Sequence, residues 1–213
     1  MTRSTAPTVV IVPGLRDHVP EHWQTLLATR LARAGRSVRV TPPVAQDRLS
    51  RDAQVANLAA TLASVAGPVV LVAHSAGVMT TVHWAQRHHA DIRGALLATP
   101  PDFDTPLPDG YPSLGELAEN GWTPVPRRPL PFPSVVAASA NDPLASAERV
   151  AELARDWGSR LVSLGPVGHL NPASGHGDWS LAEDLLRELE SGRTTPRTPA
   201  GTALPVPATG RHA

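Results

Sequence analysis

Apolar residues gather in six short runs, at residues 8–13, 37–41, 68–73, 93–98, 134–139 and 160–165. They are rich in Val and Leu and do not alternate with polar residues, the pattern of strands buried on both faces of a parallel sheet. Between them lie stretches of helical period. Residues 21–34 end at Gly35, residues 51–65 end at Gly67, and residues 145–157 end at Gly158. Two further helices are predicted over 76–89 and from about 179 to 190. Strand and helix in alternation imply an α/β domain, a three-layer α/β/α sandwich with a mainly parallel six-stranded sheet. If the second strand lies outside the first and the third on its other side, the strand order is 2-1-3-4-5-6. Ligands then bind beyond the carboxyl ends of strands one and three, where the order reverses.

Two segments depart from this rhythm. Residues 99–133 are proline-rich and nearly strandless, with one short helix expected over 113–119. So long a connection in a compact domain is more often functional than idle, and it is expected to cover a site as a cap, with Phe103, Tyr111 and Trp122 lining the pocket. From Ser191 onward the chain is Pro/Thr/Ala-rich without apolar period, which predicts a disordered tail over 191–213. Residues 1–7 are expected to be a flexible N-terminus, leaving one domain over 8–190.

Composition narrows the function. The 213 residues carry no net formal charge, every basic side chain other than histidine is arginine, and there is no basic stripe, so nucleic acid is not an expected partner. The chain has no cysteine, which removes disulfides, thiol nucleophiles and thiolate metal sites. The first apolar run is too short for a signal segment and is broken by Pro13-Gly14. No run approaches the roughly 20 residues of a membrane helix. A soluble, cytoplasmic protein is the expectation, without membrane contact.

The third run leads into "VAHSAG", residues 72–77, a near match to G-x-S-x-G with Ala73 in place of the first glycine. Ser75 could be an ordinary helix N-cap or a nucleophile on a tight strand-to-helix turn, which needs small residues two before and two after it. The pentapeptide alone leaves both open; its place at the expected crevice favours the nucleophile. A serine hydroxyl needs a base, and the base needs a carboxylate to orient it. Run five ends in "AASANDP", giving Asp142. Run six is followed by "GPVGHLNPASGHGDW", giving His169. Serine, acid and histidine stand beyond strand ends in the chain order of α/β-hydrolases. The Ala76 amide, and the Leu15 amide from the "PGLRDHVPEHW" loop, are the candidate oxyanion donors.

Other arrangements compete. Asp102 or Asp104 could supply the acid. Asp142-Pro143 could merely begin a helix. His176 is a second loop histidine. His18 and His22 stand four apart, but without a carboxylate-bearing metal motif a structural hydrogen bond or solvation is expected. His88-His89 read as a pair at a helix C-terminus. No P-loop or G-x-G-x-x-G occurs. No cofactor and no metal are expected.

The strings "VPGL…PEHWQ", "VAHSAG", "ATPPD", "LPFPSVVAASANDP" and "VGHLNPASGHGDW" resemble the small α/β-hydrolase-fold serine hydrolases related to retinoblastoma-binding protein 9. The resemblance spans residues 8–190. It implies Ser75 as nucleophile, Asp142 as acid and His169 as base. Many members of that family have a bulky residue after the serine, where this chain has Ala76. The L-x-C-x-E motif for the retinoblastoma protein is absent, so that interaction is not implied. The expected function is cleavage of a small ester, thioester or amide through an acyl-enzyme; the alternative is a hydrolase-like fold kept as a binding or scaffolding protein with an idle triad. A non-hydrolytic flavodoxin-like module would leave Asp142 and His169 without a role.

Overall fold

The computed structural model describes residues 6–15 and 19–192. Six strands form one sheet: β1 (Thr8–Val12), β2 (Val38–Val40), β3 (Val69–His74), β4 (Ile92–Ala98), β5 (Ser134–Ala138) and β6 (Arg160–Ser163). All neighbouring pairs are parallel and the order is β2-β1-β3-β4-β5-β6. Six helices follow or interrupt them: α1 (Trp23–Arg33), α2 (Arg51–Ala63), α3 (Ala76–Ala85), α4 (Leu114–Glu119), α5 (Ala147–Asp156) and α6 (Leu181–Glu190). The expected strand order and layering are those observed. Each helix lies within its predicted range, at some ends matching it and at others falling short. Serines 50, 113 and 146 cap α2, α4 and α5, each accepting a hydrogen bond from the amide three residues on.

Side-chain alternation along the strands builds two cores. Val10, Val12, Leu71, Ala73, Ala95, Leu97 and Val136 face α2, α3 and α5. Val9, Ile11, Val70, Val72, Leu96, Ala98 and Val135 face α1 and α6. The four inner strands are covered on both sides, which explains their unbroken apolar runs. β2 and β6 depart from the expectation: as edge strands they are half-exposed, with Val40 and Leu161 open to solvent. α3 is buried along its whole length, so it lacks a polar face.

The 99–133 connection is held against the body of the domain. The Trp122 indole donates to the Leu49 carbonyl, the Arg51 amide donates to the Asn120 carbonyl, and the Trp157 indole donates to the Pro126 carbonyl. Asp102 and Asp104 both engage Arg149. Among the described residues no helix is long and apolar enough to cross a membrane. The flexible N-terminus falls almost wholly, and the predicted tail from residue 193, outside the described residues.

His83, on α3, gives the fold a pH dependence. Its Nε2 lies 3.0 Å from the Trp122 carbonyl. Burial pushes the imidazole down to about 4 from an ordinary value near 6.5; Arg51 and Arg87 act the same way, against the Trp122 bond. The folded state therefore refuses a proton that the unfolded chain accepts. Stability is fully present above about pH 6.5 and is lost as the pH falls toward 4, by on the order of 3 kcal/mol. Urea unfolding of wild type and His83→Gln from pH 7 to pH 4 should show wild type losing that much more stability than the variant. An equal loss in both would place the acid sensitivity elsewhere.

Candidate active site

β3 delivers the chain to Ser75 and α3 leaves it one residue later. Ser75 takes φ 56° and ψ −130°, a region a non-glycine residue enters only under constraint, at about 1–3 kcal/mol. Its amide donates to the Ala98 carbonyl, and its carbonyl accepts from the Val78 amide. Its side chain makes no capping bond. The helix-cap reading of Ser75 therefore fails. Gly77 explains how the turn closes: a Cβ there would stand 2.3 Å from the Val12 carbonyl oxygen and 2.4 Å from that of Pro13. Ala73, two residues before the serine, sits in the core between Val12 and Leu97, so its methyl packs where the bare glycine of the motif would leave a gap.

His169 and Asp142 meet this serine from the loops after β6 and β5. His169 Nε2 lies 2.8 Å from Ser75 Oγ. Its Nδ1 lies 2.9 and 3.0 Å from the two Asp142 carboxylate oxygens. The Asp142 side chain is 1% exposed and the His169 side chain 6%. Asp142 does not begin a helix, since α5 is capped by Ser146; its Oδ1 instead also accepts from the Leu144 amide. The other candidate acids lie elsewhere: Asp102 accepts from the Asp104 amide and the Thr105 hydroxyl, and both aspartates are bound to Arg149. The His176 amide donates to the Asn171 carbonyl, and its ring has no place in the Ser75–His169–Asp142 chain.

The two loop motifs account for this alignment. Asn141 Oδ1 accepts from the Gly168 amide, joining the loop after β5 to the loop after β6. Gly168, at φ +56°, leaves room for Ser174, whose Cβ lies 2.6 Å from where a Gly168 Cβ would stand. Ser174 Oγ accepts from the His169 amide and donates to Asn171. Asn171 in turn caps a 3-10 turn at Pro172–Ser174. His74 Nε2, 2.9 Å away, donates to the His169 carbonyl. His169 is thus held at its amide, its carbonyl and its ring.

A cavity of about 530 Å³ opens over Ser75. Leu15, Leu49, Phe103, Leu107, Tyr111 and Leu144 give it largely apolar walls. The Pro13-Gly14-Leu15 loop and Ala76 border it beside the serine. A Cβ on Gly14 would come within 3.4 Å of Ser75 Oγ, so the glycine keeps open the space over the hydroxyl. Neither the Leu15 nor the Ala76 amide donates to a protein acceptor among the described residues.

Phe103 and Tyr111 line the cavity, and Trp122 does not. Its indole is fully buried behind Phe103, with ring centres 5.5 Å apart, because its N–H is drawn to Leu49 and its large apolar surface fills the core. Trp23 is a core residue, packed edge-to-face on Trp179. His22 caps α1, its Nδ1 accepting from the Gln24 amide; His18 lies outside the described residues. Among the described residues no group of three or more His, Asp or Glu side chains could hold a metal ion. Sequence reasoning passed over His74, Asn141, Ser174 and Gln24. Gln24, Asn141 and Ser174 stand in the strings "PEHWQ", "NDP" and "GHLNPAS", and His74 stands in "VAHSAG".

The fold is shared with solved structures. A YdeN-like hydrolase from Pectobacterium atrosepticum is similar at 28% identity with a TM-score of 0.71, over 86% of this chain and 90% of its own. The ydeN gene product of Bacillus subtilis is similar at 21% identity with a TM-score of 0.69, over 87% and 99%. N-formylmaleamic acid deformylase from Pseudomonas putida S16 shares the fold at 16% identity with a TM-score of 0.64, over 86% and 91%. No curated protein matches the sequence. The family model for serine hydrolases matches residues 9–188, the whole sheet with its helices and both loops around Ser75, and the chain belongs to the serine hydrolase family.

Proposed function

We propose that this protein cleaves a small ester, thioester or amide by a Ser-His-Asp mechanism through an acyl-enzyme. The observation that carries this reading is the continuous chain from Ser75 Oγ through His169 to the Asp142 carboxylate. With Asp142 ionised, Nδ1 carries the imidazole proton and Nε2 is free to accept one. Ser75 Oγ attacks the substrate carbonyl as its proton passes to His169 Nε2. The carbonyl oxygen becomes an oxyanion, and the Leu15 and Ala76 amides are its donors. His169 then protonates the leaving alcohol, thiol or amine, and the carbonyl re-forms on Ser75. Water repeats the sequence with His169 as base and releases the acid. Asp142 stabilises the imidazolium and remains ionised throughout. The motif resemblance to the group of retinoblastoma-binding protein 9 belongs to the same proposal.

A fluorophosphonate probe should label native wild type and leave Ser75→Ala and heat-denatured protein unlabelled. Absence of labelling on folded wild type would instead favour an idle triad and a binding role. Ser75→Ala and His169→Ala should each lower kcat about 10⁶-fold, with little further loss in the double variant. Independent, modest and additive losses would overturn the mechanism.

The identity of the acid has its own test. Asp142→Asn should lower kcat about 10⁴-fold by presenting the wrong histidine tautomer. Asp104→Asn, at the Arg127 and Arg149 cluster, should stay near wild type. The reverse order would reassign the acid.

The cavity adds a statement about the acyl group. Its size suits small ligands, and each methylene it buries should raise kcat/KM about fourfold. In a series of p-nitrophenyl esters, kcat/KM should climb from acetate, peak at short or medium chains and fall for palmitate. A profile still rising at palmitate would contradict a site that suits small acyl groups.

A further inference from the structure

Gln24, the second residue of α1, is completely buried beside the cavity. Its side-chain amide Nε2 donates to two main-chain carbonyls, Val12 at 3.2 Å and Val72 at 3.0 Å. The orientation of the amide follows from these partners, since the flipped form would set Oε1 against two carbonyl oxygens. Oε1 is buried and has no hydrogen-bond partner. A core selected for stability alone would not leave an acceptor unused in this way. The donor half of the side chain is what the site retains.

The two carbonyls lie on the pair of strands that carry the reaction machinery. Val12 ends β1 and leads through Pro13 and Gly14 to Leu15; Val72 precedes Ser75 and Ala76 by one short stretch of β3. Val12 and Ala73 are register partners, the last such pair before the two chains part. From the α3 side, Gly77 fits against the Val12 and Pro13 carbonyl oxygens. From the α1 side, Gln24 bridges Val12 to Val72. The separation between the loop bearing the Leu15 amide and the turn bearing the Ala76 amide is therefore set from both faces of the sheet. A third bond, from the Gln24 amide to His22 Nδ1, ties the same turn of α1 to another residue that lines the cavity.

We infer that Gln24 is a positioning residue of the oxyanion hole: by bridging the ends of β1 and β3 it holds the Leu15 and Ala76 amides at the spacing that suits the tetrahedral intermediate. The inference rests on the acyl-enzyme reading above. Donors of this kind act only when aimed at the oxyanion, and a displacement of about 1 Å can cost on the order of 10²-fold in rate.

The test compares wild type with Gln24→Met, which keeps the length and removes both donors, and with Gln24→Glu, which keeps the shape. The readouts are kcat and KM on a p-nitrophenyl ester, the inhibition constant of an arylboronic acid that forms a tetrahedral adduct on Ser75, the pH profile of kcat/KM, and thermal melting. Gln24→Met should lower kcat about 10²-fold with KM within about twofold, and weaken the boronate by a similar factor. The acid limb of the pH profile should not move. Gln24→Glu should show the same split. Unchanged kcat, a loss expressed in KM, a shifted acid limb, or failure of both variants to fold would each overturn the assignment, the last because the bridge would then hold the sheet itself. If wild type is active and Gln24→Met keeps its kcat and its boronate affinity, only the Gln24 assignment falls. If folded wild type neither hydrolyses the ester nor binds the boronate, the acyl-enzyme reading fails and takes the assignment with it.

Discussion

The turn at Ser75 is the constraint around which the site is built. A chain leaving a central parallel strand must reverse into a helix within one residue, and it does so by placing a side-chain-bearing residue at positive φ. That strain persists because its surroundings leave no alternative. The Ser75 amide is taken by Ala98 on the neighbouring strand, Gly77 lies against the Val12 and Pro13 carbonyls, and every residue of α3 is buried. The geometry lifts the hydroxyl out of the sheet and into the cavity, where it meets His169 instead of capping its own helix.

The motifs around Asp142 and His169 hold backbones as well as side chains. In "NDP" the two polar residues divide the work: Asp142 binds the His169 ring and Asn141 binds the backbone one residue before it. In "GHLNPAS" the glycine admits Ser174, the serine holds the His169 amide, and the asparagine holds the serine. His74, beside Ser75, holds the His169 carbonyl. With its amide, carbonyl and ring all bonded, His169 keeps Nε2 at bonding distance from Ser75. The cap-like segment follows the same logic. Indole and main-chain donors pin it to α2 and to the end of α5, so the apolar wall stands in place before any ligand arrives.

The sequence by itself determined the layers and the strand order, and it singled out Ser75, His169 and Asp142, which the fold brings together. Strands covered on both faces must be apolar throughout, and residues with chemistry to perform must stand where strands end, so both facts are written locally in the chain. The same reasoning overreached at β2 and β6, because an apolar run does not reveal whether a strand is central or at the edge. It also placed Trp122 in the pocket, because an aromatic residue in a cap-like loop can turn outward to a ligand or inward to the core. Only the position of the Leu49 carbonyl decides that. The depressed titration of His83 and the two hydrogen bonds of the Gln24 side chain were equally hidden. Each depends on partners far away in the chain, Trp122 for one and Val72 for the other. Local sequence carries periodicity, turn chemistry and the order of reactive groups. Tertiary structure alone decides which buried polar atoms find partners, since burial and hydrogen bonding are settled by residues that meet only when the chain has folded.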